Sequence, residues 1–344
     1  MQTKIYTLSP EDTQHPFLDE AAYILKHGGL VAFPTETVYG LGGSATDSQA
    51  AQKIYAAKGR PSDNPLIIHV ADPEDASIYA HVNETYQKLA EAFMPGPLTV
   101  ILPKRDIIPE TVTGGLDTVA VRCPSHPLAR ALIRRAGIAI AAPSANLSGS
   151  PSPTSGDHVI RDLSGRIDAI IDGGSSEIGL ESTIIKLDGS HATLLRPGAI
   201  TVDALRCVCE EVTVSPAIKA SLAEGERPLS PGMKYKHYAP SSPLVLIDGD
   251  ENAVLAFFKQ AQENESCAIL CYREEVSALR NENLIDIGER ENLSEQAHNL
   301  FSALRQTESM DVRIIYAHLP PEDGLGLALY NRLIRAAAHT VRRV

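Results

Sequence analysis

From Pro243 to the C-terminus, short apolar runs alternate with amphipathic stretches, and few folds accommodate that order. Runs at 244–247, 268–272 and 312–316 read as buried strands, with a weaker one at 284–287. Between and after them, 251–263, 293–306 and 325–338 carry apolar residues at helical spacing, and a short helix is expected near 275–279. In 293–306 the inward set is Leu293, Ala297, Leu300, Phe301 and Leu304. Strand and helix in turn predict a small parallel sheet with right-handed crossovers. Gly324-Leu325-Gly326 lacks the third glycine of a dinucleotide fingerprint and stands away from its strand, so it reads as a helix-start turn.

The N-terminal part reads differently. Strands are expected at 30–33, 66–70, 98–102, 118–122, 138–142 and 168–172, with helices at 17–26, 47–57, 83–93, 127–135 and 201–211. At 344 residues the chain is too long for one ordinary domain. We expect a mixed α/β domain over 1–211, a linker over 212–242 and a second domain over 243–344. The linker contains Gly225, Pro228, Pro231, Gly232 and Pro240 with little periodicity. Its centre, Ser230 to Pro240, also holds Lys234, Lys236, His237, Tyr235 and Tyr238. Such side chains are unusual in a passive tether, and a lid over a binding site is the expectation.

Residues 58–69 read K-G-R-P-S-D-N-P-L-I-I-H. Lys58 and Arg60 end a helix and stand on a proline-stiffened loop before a strand, and Gly59 between them allows close approach of the backbone. Two fixed cations beside open amides suit a polyanion such as a nucleotide phosphate, although a solvated basic turn has the same composition. Two further segments leave strand ends with small hydroxyl and amide groups: Pro34-Thr35-Glu36-Thr37-Val38-Tyr39-Gly40-Leu41-Gly42 and Pro143-Ser144-Ala145-Asn146. Ligand walls in open α/β sheets are built from such ends, and so are plain turns. Arg122, Ser182 and Arg196 also fall at strand ends.

The net charge of −12 argues against a nonspecific nucleic-acid coat or an anionic-membrane binder. It leaves room for a local basic pocket. Five cysteines without metal-ligand spacing read as reduced thiols in a cytoplasm. Residues 1–20 carry charges and no apolar core, so no signal peptide is expected, and no run reaches the apolar length of a membrane span.

Several segments together resemble one family, the long two-domain form of the threonylcarbamoyl-AMP synthases, YrdC-like proteins. They include residues 33–42, Lys58-x-Arg60 with residues 64–69, residues 95–98, 115–122, 143–146, 181–183, 195–198 and 231–240, then Gly324-Leu-Gly and Asn331-Arg332. The resemblance implies a twisted mixed sheet enclosing a positive cavity, followed by a smaller Rossmann-like parallel domain. It implies an L-threonylcarbamoyladenylate synthase, a nucleotidyltransferase that joins L-threonine, bicarbonate or CO2, and ATP, with release of pyrophosphate. The product serves threonylcarbamoyladenosine modification of tRNA, and pathway proteins become possible partners.

Carried onto this chain, the resemblance implies Lys58 and Arg60 as the catalytic cations. It implies ATP contacts from these two with Ser62, Asn64, Thr118, Ser144, Asn146, Ser152, Arg196, Lys234 and Tyr238. It implies threonine contacts from Thr35, His69, Arg122, Ser182 and the carbonyl of Ala142. Mg2+ is expected on the ATP phosphates rather than on a carboxylate cluster. Direct nucleic-acid binding is not required. Rival readings of the same cavity are a module for double-stranded RNA and a carbamoyl-transfer domain of the hydrogenase-maturation type. Small glycine-lined walls and acidic net charge favour a small ligand.

Overall fold

A computed structural model describes residues 2–219, 238–280 and 282–344. They form two compact units. The first comprises 2–148, 152–177 and 181–219, and the second comprises 149–151, 178–180 and 238–344. Of the expected lid at 230–240, residues 230–237, Lys234 among them, lie outside the described residues.

The first unit is built on one mixed sheet. Its strands are β1 (Lys4–Thr7), β2 (Val31–Phe33), β3 (Gly40–Ser44), β4 (Ile67–His69), β5 (Leu98–Pro103) and β6 (Thr118–Arg122). They continue with β7 (Ile140–Ala142), β8 (Ala169–Asp172), β9 (Thr183–Asp188), β10 (His191–Arg196) and β11 (Glu211–Val214). They lie in the order β1-β8-β2-β3-β7-β4-β6-β5-β9-β10-β11. Parallel pairs such as β4 with β6 alternate with antiparallel ones such as β5 with β6. The helices Phe17–Lys26 and Pro127–Ala136 each present an apolar stripe, and Leu18, Leu25, Leu128 and Leu132 join Val31, Phe33, Ile140 and Ile171 in one core.

Three details depart from the sequence expectation. Gly40–Ser44 is a fully buried strand, not part of a loop. A Cβ on Gly42 would come within 2.6 Å of Ile140 Cγ2 and 2.9 Å of Phe33 Cε1, so glycine is what lets β2, β3 and β7 close up. The helix expected over 201–211 stops at Arg206, and β11 pairs in parallel with β10. The sheet therefore runs past 211, where the linker was expected to start. Strand β1, paired with β8, had no sequence expectation at all.

The second unit holds β12 (Leu244–Asp248), β13 (Cys267–Cys271), β14 (Leu284–Asp286), β15 (Ile314–His318) and β16 (Val341–Arg343). Their order is β14-β13-β15-β12-β16 and each neighbouring pair is parallel. Phe257 and Phe258 on the helix Glu251–Asn264 pack with Ile247, Ile269 and Tyr316. At the C-terminal strand ends, Glu275 accepts from His318 Nε2 at 2.8 Å and from Arg290 Nη2 at 3.0 Å. Tyr272 stacks on the His318 ring at 4.2 Å. Burial pushes the Glu275 carboxyl up, but the hydrogen bond and charge of His318, the Tyr272 N–H and the charge of Arg290 together hold it below its ordinary range.

Candidate active site

Lys58 owes its position to a well-capped helix. Asp47 accepts from the Gln49 N–H at 2.8 Å at the start of Ser48–Lys58, and Gly59 closes the end at φ 64°. A Cβ on Gly59 would meet no protein atom within 4 Å, so the capping turn, rather than close packing against protein, is what calls for glycine here. Lys58 Nζ donates to the carbonyl of Ser144 at 2.6 Å and to the carbonyl of Asn146, and it lies 3.3 Å from Asn146 Oδ1. Ser144 Oγ donates to the same Oδ1 at 2.5 Å. The helix end and the loop after β7 are thereby tied together. Arg60 Nη2 donates to the carbonyls of Asn64 at 3.3 Å and Pro65 at 3.2 Å, which folds the proline-stiffened loop around its guanidinium. Tyr55 Oη, 3.2 Å from the Asn64 carbonyl, holds that loop to the helix.

A second group spans the middle of the sheet. His69 on β4 stands opposite Arg122 on β6, and Arg122 stands opposite Thr99 on β5. Residues directly opposite share a face, so these three side chains are aligned across three strands. Thr99 and Ser182 hydroxyls are 2.7 Å apart. Arg196, brought back to this end by a register shift in β10, donates through Nε to the Ser182 carbonyl at 3.0 Å and through Nη2 to Ser182 Oγ at 3.1 Å. Next to Ser182, Glu181 accepts from Ser152 Oγ at 2.5 Å. Ile67, Ala120, Ile101, Ile184 and Leu195 form a small apolar cluster beside these polar ends.

The loop after β2 reaches the same group. Thr35 Oγ1 donates to the Val38 carbonyl at 2.6 Å, which shapes the turn. Glu36 then accepts from Arg122 Nη2 at 2.7 Å, with both side chains about 5% exposed. Burial, and then the positive Arg122 nearby, push the His69 imidazole down to about 3, so it is neutral at ordinary pH.

His69 and Arg122 are thus strand neighbours of Thr99, which bonds Ser182; Arg196 bonds Ser182, and the chain neighbours of Thr35 and Ser182, Glu36 and Glu181, bond Arg122 and Ser152. Lys58, Ser144 and Asn146 form a separate group, and Arg60 and Asn64 another beside it. Ala142 lies opposite Ile67, next to the His69 strand. Thr118 begins β6 opposite Pro103, at the far end from Arg122, and Ser62 is exposed on its turn. Tyr238 lies in the second unit, buried at φ 64°, its ring 5.2 Å from Phe301. Glu36, Thr99 and Glu181 carry much of this bonding without an expected role. An acidic residue in an otherwise hydroxyl-rich loop was the available signal for Glu36.

A family model described as telomere recombination (Sua5, YciO, YrdC) matches residues 23–198. One described as threonylcarbamoyl-AMP synthase, C-terminal domain, matches residues 200–338. The threonylcarbamoyl-AMP synthase of Bacillus subtilis is 43% identical over 349 residues, covering 100% of both chains. That of Pyrococcus abyssi is 43% identical over 332 residues, covering 94% of this chain and 95% of the relative. The crystal structure of P. abyssi Sua5 complexed with L-threonine superposes with a TM-score of 0.90 at 40% identity, over 100% of each chain.

Proposed function

The chain belongs to the threonylcarbamoyl-AMP synthase family, and we propose that it makes threonylcarbamoyl-AMP by adenylyl transfer for tRNA modification. In this reading the threonine amine adds to CO2 derived from bicarbonate. An oxygen of the resulting carbamate attacks the α-phosphorus of ATP, and pyrophosphate leaves. Such a step needs positioning and charge neutralisation more than a covalent nucleophile. Lys58, Arg60 and Arg196 supply cations for the phosphates, with Ser62, Asn64, Thr118, Ser144, Asn146 and Ser152 as further ATP contacts. Arg122 takes the threonine carboxylate, and Thr35, His69, Ser182 and the Ala142 carbonyl complete that end.

The observation that carries this reading is the direct bonding of Arg196 to Ser182. Transfer from one substrate to the other requires the ATP set and the threonine set to meet, and these two residues belong one to each. The full-length match to synthases gives no comparable support to the double-stranded RNA reading.

Mg2+ would enter on the ATP phosphates and offset their charge. No group of three or more His, Cys, Asp or Glu side chains that could hold a metal ion occurs among the described residues. No helix among the described residues is long and apolar enough to cross a membrane. All five cysteines are free thiols, which fits the cytoplasm as the compartment and the tRNA-modification proteins there as recipients of the product. The test is purified protein with labelled bicarbonate, ATP and a panel of amino acids. A labelled acyl adenylate that forms only with threonine supports the proposal. Pyrophosphate release indifferent to threonine overturns it.

A further inference from the structure

Glu36 and Arg122 are paired by one leg only. Arg122 Nη2 meets Glu36 Oε1 at 2.7 Å, while Arg122 Nε and Glu36 Oε2 are both buried without a partner. Nε and Nη2 point from the same edge of a guanidinium, so a carboxylate set squarely against that edge would satisfy all four atoms. Here only one of the two bonds is made, and the pair keeps one buried unmet donor and one buried unmet acceptor. Leaving such atoms unmet is costly unless something fills them. Both side chains are buried, so bulk water does not.

We infer that Glu36 is a substrate-binding residue that receives the α-ammonium of threonine on Oε2 while Arg122 receives the carboxylate on Nε. This rests on the proposed function above. An α-amino acid carries a cationic donor and an anionic acceptor on one carbon, and that pair of groups matches the two unmet atoms. His69 is aligned with Arg122 across the strands and is neutral, and its Nδ1 is also unpartnered. Glu36 thus has two tasks: one oxygen steadies Arg122, and the other selects an amine over a hydroxyl or hydrogen at the same carbon.

The test compares binding of L-threonine with binding of (R)-3-hydroxybutyrate, which is threonine without its amine. Calorimetry on the full chain is run for the wild type, Glu36→Gln and Glu36→Asp, with melting curves to confirm folding. Glu36→Gln should weaken threonine binding roughly 10- to 100-fold, the size of a lost charge-assisted hydrogen bond. It should leave the deaminated ligand within about threefold of its wild-type affinity. Discrimination between the ligands then collapses. If both ligands weaken by one factor, Glu36 acts only by holding Arg122 and the inference is wrong; unchanged affinity for both sinks it equally. Should Glu36→Gln fail to fold, Glu36→Asp, which keeps the charge but withdraws it, is read by the same ratio. A wild-type protein that binds no threonine and forms no adenylate would instead remove the functional reading beneath.

Discussion

Lys58 and Arg60 are each held by backbone carbonyls, so truncating them has two separable effects. Removing one charge-stabilising donor costs about 2.7–4 kcal/mol of transition-state energy. Lys58→Ala and Arg60→Ala should each therefore lower the rate of threonine-dependent pyrophosphate release by roughly 100- to 1000-fold. Lys58→Ala should also lower stability by about 1–3 kcal/mol, because the Ser144 and Asn146 carbonyls lose their donor. Near-normal turnover in both variants would refute the phosphate assignment. His69 gives a pH prediction. Its folded-state pKa of about 3 lies below the 6.5 of an unperturbed imidazole, so the folded protein binds fewer protons between these values. Stability is full above 6.5 and falls as the pH drops toward 3, by at most about 1.4 kcal/mol per unit. Melting curves at pH 7 and pH 5 should show a larger loss for the wild type than for His69→Gln. Equal losses would mean the imidazole accepts its proton in the folded state.

Elements with a strong period were legible in the sequence, and those shaped by neighbours were not. Asp47, the stripe of Ala51, Ile54 and Tyr55, and Gly59 announce the helix that delivers Lys58, because cap, face and stop all lie within it. Strand β3 has no such internal signal. Its G-L-G-G-S sequence suits a turn, and only packing against Ile140 and Phe33 makes it a strand. Gly42→Ala should accordingly cost about 1–3 kcal/mol, as overpacking in a tight core does. Denaturant unfolding measures it, and a change below half of that would show that β2 and β7 can yield. The same reasoning covers the site. Lys58, Arg60, Arg122, Ser182 and Arg196 could be picked out as polar residues at element ends. The bonds among Thr99, Ser182 and Arg196 depend on strand order, and nothing in the linear spacing reveals that β5 lies between β6 and β9.

At the scale of the whole chain, two separate cores predict unfolding that is not two-state. Calorimetry of the full chain should give two overlapping transitions. Phe258→Ala, in the second core and fully buried, should lower only one of them, by about 3–5 kcal/mol of stability for that unit. Saturating threonine should raise only the other. A single transition shifted by both would show that the units melt as one. The second unit also includes two short segments far upstream of the rest of it. Pro151 gives its carbonyl to Arg305 at 2.6 Å, Gly149 gives its carbonyl to the Ala239 N–H at 3.0 Å, and Gly179 lies so close to His298 that a Cβ would meet its Cα at 2.5 Å. On a ribosome adding roughly 5–20 residues per second, these segments emerge roughly 5–30 s before their partners at 239, 298 and 305. During that interval the two segments stand without the residues they pack against in the second unit.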